Sequence, residues 1–375
     1  MRIFTVVGAR PQFIKAAVVS REINRIAATG SDISECLVHT GQHYDEKMSD
    51  IFFDEMRIPK PSHRLHVGGL SHASMTGRML EQLEPLMQDE APDWVLVYGD
   101  TNSTLAGALA AVKLQIPVAH VEAGLRSFNR AMPEEINRVL TDHVSTMLLA
   151  PTNQAVKNLE LEGITGSKVV RSGDVMYDAA LYYSQIKGQT GALKRFDLQP
   201  KKYYLATIHR AENVDVAPRL MTIVQALIKC SESAPVVWPI HPRTQKVLRD
   251  LGLLGEGKLG NVQLIDPVGY LEMVQLEQHA KVILTDSGGV QKEAYFFQTP
   301  CITIRHETEW VELLACGANR LASPDSADAI TSAVQEALAI QKLPKLGLYG
   351  DGNAAQAIVQ ALFEHRAKRP ISLKI

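Results

Sequence analysis

Trp94-Val95-Leu96-Val97-Tyr98-Gly99-Asp100-Thr101-Asn102-Ser103-Thr104 is the stretch on which the fold class turns. Five large apolar residues in a row, closed by Gly-Asp, read as a strand buried on both faces. The hydroxyl and amide residues that follow suit the start of a helix. Moving outward, the same strand, loop and helix unit recurs. In the first half, strands are predicted at Ile3 to Val7, Glu35 to His39, Trp94 to Tyr98, Val118 to Val121 and Met147 to Ala150. After the Gly163 to Gly173 stretch the pattern restarts, with strands at Tyr203 to Thr207, Val236 to Ile240, Val262 to Ile265, Val282 to Leu284 and Cys301 to Ile304. Alternation of this kind builds parallel sheets covered by helices, so the chain is read as α/β with two doubly wound units. The polar segment Ser184 to Lys202 reads as a helix and connecting loop opening the second unit, and a last helix is expected over Ala354 to Lys368.

Composition narrows the function. The chain has 375 residues, 46% hydrophobic and 21% charged, which is ordinary globular usage and excludes disorder as the main state. Lys and Arg number 39 against 41 Asp and Glu, so there is no single-sign field for a nucleic-acid backbone or an anionic membrane. No apolar run is long enough to span a bilayer. Cys36, Cys230, Cys301 and Cys316 are widely spaced, which points to reduced thiols filling the core of a cytoplasmic protein rather than to disulfides or zinc.

Open α/β sheets bind ligands beyond the carboxyl ends of their strands, which selects the loops to inspect. The first strand ends in Gly8-Ala9-Arg10-Pro11-Gln12-Phe13-Ile14-Lys15. Pro11 suits a first helical turn, and Arg10 and Lys15 are placed either to hold an anion there or to be solvated cations of a tight turn. Asp286-Ser287-Gly288-Gly289 follows a later strand. Two consecutive glycines let a ligand approach the backbone, and Ser287 can cap the helix or bond a phosphate oxygen. Asp100 is placed either as a helix cap or as a functional acid. Glu122, directly after a strand, is costly to bury without a partner and is expected to face a polar cleft. Glu134 follows Pro133 at a helix start, where the dipole favours an anion, and Arg138 at i+4 could pair with it. His209 closes the first strand of the second unit.

Several ordered motifs resemble one family almost end to end. Gly8-Ala9-Arg10-Pro11, Gly99-Asp100-Thr101, His120-Val121-Glu122-Ala123-Gly124-Leu125-Arg126 and Pro133-Glu134-Glu135-Ile136-Asn137-Arg138 are similar to motifs of the non-hydrolysing UDP-N-acetylglucosamine 2-epimerases. So are His209-Arg210-Ala211-Glu212-Asn213, Leu284-Thr285-Asp286-Ser287-Gly288-Gly289 and Tyr349-Gly350-Asp351-Gly352. The resemblance implies a GT-B architecture of two Rossmann-like domains with a central cleft. It places an N-terminal domain at 1–172, a UDP-binding domain at 173–357 and a C-terminal helix, 358–375, packing back on the first. It implies elimination of UDP to a 2-acetamidoglucal and re-addition on the opposite face, without NAD or metal, by a cytoplasmic homodimer serving bacterial surface polysaccharide synthesis.

By the same resemblance Asp100, Glu122 and Glu134 remove and return the proton, with the face served by each left open. His209 would stabilise the departing diphosphate, held by Arg10, Lys15 and the Ser287, Gly288 and Gly289 backbone. Arg138 would orient Glu134, Glu293 would take the ribose hydroxyls, and uridine would lie against Val268 in the Asp266 to Tyr270 loop, near Met273. Departures at Gln12, at Thr40-Gly41-Gln42-His43-Tyr44 and at Thr308-Glu309-Trp310-Val311-Glu312 resemble the subgroup acting on UDP-2,3-diacetamido-2,3-dideoxyglucuronate. The extra carboxylate of that sugar would want a cation, with Arg126 or Arg130 available. A GT-B glycosyltransferase, a hydrolysing epimerase and a plain UDP-sugar binder are the competing readings.

Overall fold

The computed structural model describes residues 1–42, 58–185, 191–255 and 257–365, with the side chain of Arg10 outside them. His43 and Tyr44 of one departing motif, and the end of the expected last helix, also lie outside the described residues. Contacts divide the chain into two units: Met1–Ala179 with the chain from Gly347 onward, and Ala180–Leu346.

In the first unit, β1 (Arg2–Val7), β2 (Ser34–His39), β3 (His63–Arg64), β4 (Trp94–Tyr98), β5 (Val118–Val121), β6 (Met147–Ala150) and β7 (Val169–Arg171) form one sheet in the order β3-β2-β1-β4-β5-β6-β7. All its pairings are parallel, with Val6 opposite Val38 on one side and Val97 on the other. The alternate residues Phe4, Val6, Val38, Val95 and Val97 share one core with Met75, Met79, Leu83 and Met87 of the helix His72–Glu90 and with the alanines of the helix Asn102–Lys113. Small side chains on that second helix let it lie close to the sheet; a Cβ on Gly107 would already press on Val6 and Val97.

The second unit repeats the plan with β8 (Tyr204–Thr207), β9 (Val236–Pro239), β10 (Val262–Ile265), β11 (Val282–Thr285), β12 (Cys301–Ile304) and β13 (Asn319–Ala322), in the order β10-β9-β8-β11-β12-β13 and again parallel. Its core joins Tyr204, Ala206, Trp238, Leu284 and Ile302 to the helices Ala217–Ser231 and Ala327–Leu338. The α/β class and the two doubly wound sheets agree with the sequence reading. β3, β7 and β13 are additional. All three are edge strands, short or polar, and so lack the apolar run that marks a strand buried on both faces.

Contacts group residues 173–179 and 347–357 with the first unit, where the sequence reading assigned them to the second. The cause is local. The Asp174 N–H donates to the Tyr349 carbonyl at 2.9 Å, and the Asp178 carboxylate accepts the N–H groups of Ala354 and Ala355 at 3.1 and 2.8 Å. These bonds hold the N-terminus of the helix Ala354–Glu364, which packs on the helix Arg10–Ala27.

Candidate active site

Each sheet reverses its strand order once, between β1 and β4 in the first and between β8 and β11 in the second. Loops leaving neighbouring strands diverge there and open a crevice at the carboxyl edge. The loops after β1 and β4 carry Gly8 to Lys15 and Gly99 to Thr104. Those after β8 and β11 carry His209 and Asp286 to Gly289. Sheet topology alone therefore brings most of the singled-out residues to the two switch points.

At the first, Gln12 ties the loops together. Its buried Oε1 accepts the Gly8 and Ala9 N–H groups at 2.8 and 3.1 Å, and its Nε2 donates to the Tyr98 carbonyl and to Thr104 Oγ1 at 2.7 and 2.9 Å. Gly8 is required as glycine, since a Cβ would collide with the Ser103 and Thr40 hydroxyls. The helix Asn102–Lys113 is capped by Thr101, which accepts the Thr104 N–H at 3.3 Å. Asp100 is thus released from the capping role and stands 31% exposed at the carboxyl edge.

Glu122 follows β5 and is only 9% exposed, with φ at +72°. A non-glycine residue in the left-handed region is strained by about 1 kcal/mol or more and persists where its surroundings fix it. Its N–H donates to the Leu149 carbonyl at 3.0 Å, and its Oε2 receives the Lys15 ammonium. Gly99 lies against this pair: a Cβ there would sit 3.4 Å from Glu122 Oε2 and 3.5 Å from Lys15 Nζ. Lys15 is therefore paired with a candidate catalytic acid, an arrangement the sequence reading did not foresee.

Arg138 makes a second ion pair, with Asp100, and donates to Glu135 Oε2 at 3.0 Å. It does not reach Glu134, whose carboxylate has no hydrogen-bond partner among the described residues, so the expected i, i+4 pair is replaced by i, i+3. Glu135 is the stronger attractor because it is fixed: it accepts Ser127 N–H, Ser127 Oγ and Phe128 N–H, each at 2.9 Å. Asn137 Nδ2 steadies Asp100 by donating to its carbonyl at 3.0 Å.

Beneath these acids lies a buried network. His120 places Nε2 2.7 Å from the Gly99 carbonyl and Nδ1 2.7 Å from Asp142 Oδ1. Asp142 also accepts the Gly124 N–H at 3.0 Å and Arg126 Nη1 at 2.7 Å. Burial pushes the Asp142 carboxyl up, but His120 and Arg126 outweigh it and hold the group below the usual carboxylate range. Arg126 is further clamped by Glu162 at 2.6 and 2.8 Å. A guanidinium so enclosed is not available for a substrate carboxylate, which corrects one of the two candidates; Arg130 is exposed.

In the second unit Asp286 is the organising group. Fully buried, its carboxylate accepts the His209 and Arg210 N–H groups at 3.1 and 3.0 Å and Asn213 Nδ2 at 3.0 Å. His209 keeps Nδ1 3.4 Å from Asp286 Oδ1 while its side chain stays 52% exposed. Ser287 N-caps the helix Gly288–Phe296 without a side-chain capping bond. Its hydroxyl and the first N–H groups of that helix are the donors an anion would use. A Cβ on Gly288 would meet Glu309 Oε1, so that carboxylate would have to move aside. Glu293 is buried beside Tyr270 and Glu277; burial and then the Glu293 charge push the Glu277 carboxyl far up. Val268 and Met273 lie half-buried against the core of Tyr203, Leu276 and Val290. Trp310 packs over the buried Lys292 ammonium, 4.5 Å from the ring centre. Sequence reasoning quoted Asp286 and Gln12 without giving them these roles. The available signal was a polar residue at a strand end or a first helical turn, with no reason to be buried except to hold a loop.

A family profile described as UDP-N-acetylglucosamine 2-epimerase matches residues 25–363. UDP-2,3-diacetamido-2,3-dideoxy-D-glucuronate 2-epimerase of Pseudomonas aeruginosa is 52% identical over 365 residues, 96% of this chain and 99% of that protein. Among solved structures, UDP-GlcNAc 2-epimerase of Methanocaldococcus jannaschii in complex with UDP-GlcNAc and UDP is 42% identical, with a TM-score of 0.83 over 97% of this chain and 100% of that one. UDP-GlcNAc 2-epimerase of Neisseria meningitidis bound to UDP-GlcNAc is 32% identical, with a TM-score of 0.85 over the same shares.

Proposed function

The chain belongs to the UDP-N-acetylglucosamine 2-epimerase family, an isomerase family, and from that premise we propose that it inverts carbon 2 of a UDP-2-acetamido sugar, UDP-2,3-diacetamido-2,3-dideoxyglucuronate before UDP-GlcNAc. The choice of sugar rests on the 52% identical relative and on Trp310, which fills its site by covering Lys292. Arg130 is the cation for the added carboxylate. The working form is a homodimer in the cytoplasm, serving surface polysaccharide synthesis; the cysteines are free, and no helix among the described residues is long and apolar enough to cross a membrane.

The proton on carbon 2 is not acidic, so direct removal would leave an unstabilised carbanion. Loss of UDP together with that proton gives a 2-acetamidoglucal instead, and adding both back on the other face completes inversion. Two faces require at least two acid/base groups, and the first unit offers Glu122, Asp100 and Glu134. Lys15 holds Glu122 at its strand end by an ion pair, and Arg138 holds Asp100 in the same way. In the second unit His209 serves the leaving diphosphate. Arg10, Ser287 and the Gly288 and Gly289 backbone hold its oxygens, Glu293 takes the ribose hydroxyls, and Val268 and Met273 line the base.

The observation that carries this reading is Glu122: a strained carboxylate at a strand end, paired with Lys15 and backed by Gly99. Glu122→Gln and Asp100→Asn are each expected to lower turnover by about 10²- to 10⁴-fold while UDP binding, measured by calorimetry, persists. Full activity in both variants would refute the assignment. Sugar transfer to an acceptor, with no epimer formed, would replace it with the glycosyltransferase reading.

A further inference from the structure

Away from the carboxyl edge, at the opposite end of the first sheet, three side chains of unlike chemistry converge. Cys36 lies in β2, His63 in the two-residue edge strand β3, and Glu90 ends the helix His72–Glu90. One ligand atom from each, a sulfur, an imidazole nitrogen and a carboxylate oxygen, lies within 4.8 Å of the other two. His63 Nε2 is already 3.3 Å from Glu90 Oε1. All three are half-buried, and Cys36 and Glu90 border a cavity of about 210 Å³ lined also by Ser34, Glu35 and Ser62.

We infer that Cys36, His63 and Glu90 form a zinc-binding site that fastens the edge strand β3 to β2 and to the end of the helix His72–Glu90. The donor set is the one zinc takes: thiolate, imidazole and carboxylate at about 2.3, 2.0 and 2.1 Å. A tetrahedral ion with those bonds needs its ligand atoms about 3.3 to 3.7 Å apart, so side-chain rotations of about 1 Å close the set. The cavity has room for a water as fourth ligand. Glu35 lines the same cavity as Cys36 and Glu90, and Arg2, which also lines it, donates to the Glu90 carbonyl at 3.2 Å. Burial and the Glu90 charge raise the Cys36 thiol to about 11, and a divalent ion reverses that by taking the thiolate.

Geometry also says what such an ion does. β3 pairs Val38 with His63 and His39 with Arg64 at the edge of the sheet, and backbone bonds from Ser62 to Leu37 and from Leu65 to His39, each 2.7 Å, flank it. The three ligands come from three segments far apart in sequence, so one ion would cross-link β2, β3 and the end of the helix His72–Glu90. Cys36 lies in the first half of β2 and Glu90 precedes β4, away from the loops after β4 and β5 that carry Asp100 and Glu122, which makes the role structural rather than catalytic. Their wide spacing is why no metal motif is legible in the sequence.

The test uses the full-length protein, stripped with a chelator and titrated with Zn²⁺ against a chromophoric competitor, then with Co²⁺ by absorption. The expected result is about one zinc per chain, a sulfur-to-cobalt charge-transfer band and the visible bands of tetrahedral cobalt. Cys36→Ser removes the charge-transfer band, His63→Ala and Glu90→Gln each weaken binding by at least about tenfold, and Cys316→Ser changes nothing. Zinc also raises the melting temperature of the unaltered chain and not that of His63→Ala. If Cys36→Ser does not fold, the half-exposed His63 and Glu90 variants decide. No binding at micromolar zinc, or equal binding by the His63 and Glu90 variants and the unaltered chain, overturns the proposal.

Discussion

Asp286 spends its carboxylate on the backbone around His209, so it holds that loop in place. Asp286→Asn turns one acceptor into a donor facing N–H groups. The variant is expected to lose about 1–3 kcal/mol of stability and to lose turnover as well, read by thermal melting and by initial rates. Turnover unchanged in a folded variant would detach Asp286 from the site. Lys15→Met leaves Glu122 buried with its ammonium removed, and turnover should fall by at least about tenfold, with recovery in Lys15→Arg. At this scale the sequence named the acids, His209 and the glycine pair. It misassigned pairings, because i, i+4 spacing says which residues can meet but not which carboxylate is held in place. Arg138 takes Glu135 since three donors fix that side chain, and nothing in residue order announces them.

Among the elements, the helix Ala354–Glu364 depends on one acid. Asp178 accepts two N–H groups at its N-terminus, yet burial pushes its carboxyl from 3.8 up to about 6. The folded state therefore binds more protons than the unfolded state between those values. The contribution of Asp178 to stability is greatest below about pH 4 and declines as pH rises through 6, by up to about 3 kcal/mol. Melting curves of the unaltered protein and Asp178→Asn from pH 4 to 7 isolate it, because other groups cancel in the difference. The unaltered protein should lose ground to the variant as pH rises; the opposite trend would contradict this account. The central strands were legible as apolar runs buried on both faces. β3, β7 and β13 were not, because edge strands need only one partner and carry polar residues. The attachment of residues 347–365 to the first unit rests on Asp178, a contact between positions 176 or more apart in the chain, which local pattern does not encode.

Across the whole molecule, two parallel sheets each reverse order once, and the loops carrying Asp100, His209 and Asp286 to Gly289 leave the strands at those reversals. Charge, composition and strand order were readable, and with them the carboxyl-edge loops where a ligand is expected. Ligand identity was not, because residue order does not say that side chains such as Gln12 and Trp310 are consumed by internal contacts. Arg130→Ala is expected to raise KM for UDP-2,3-diacetamidoglucuronate by about tenfold or more, without a matching change for UDP-GlcNAc, since only the first carries a carboxylate. Equal effects on both would remove Arg130 from sugar recognition.

The central claim is inversion at carbon 2 through loss and return of UDP. Proton NMR of the purified protein in deuterium oxide, run in parallel with UDP-2,3-diacetamidoglucuronate and UDP-GlcNAc, reads it directly. The account predicts deuterium at carbon 2 and a manno-configured product, faster with the diacetamidoglucuronate and without net release of UDP. No exchange at carbon 2 in either sugar, or free UDP accumulating with turnover, would contradict it.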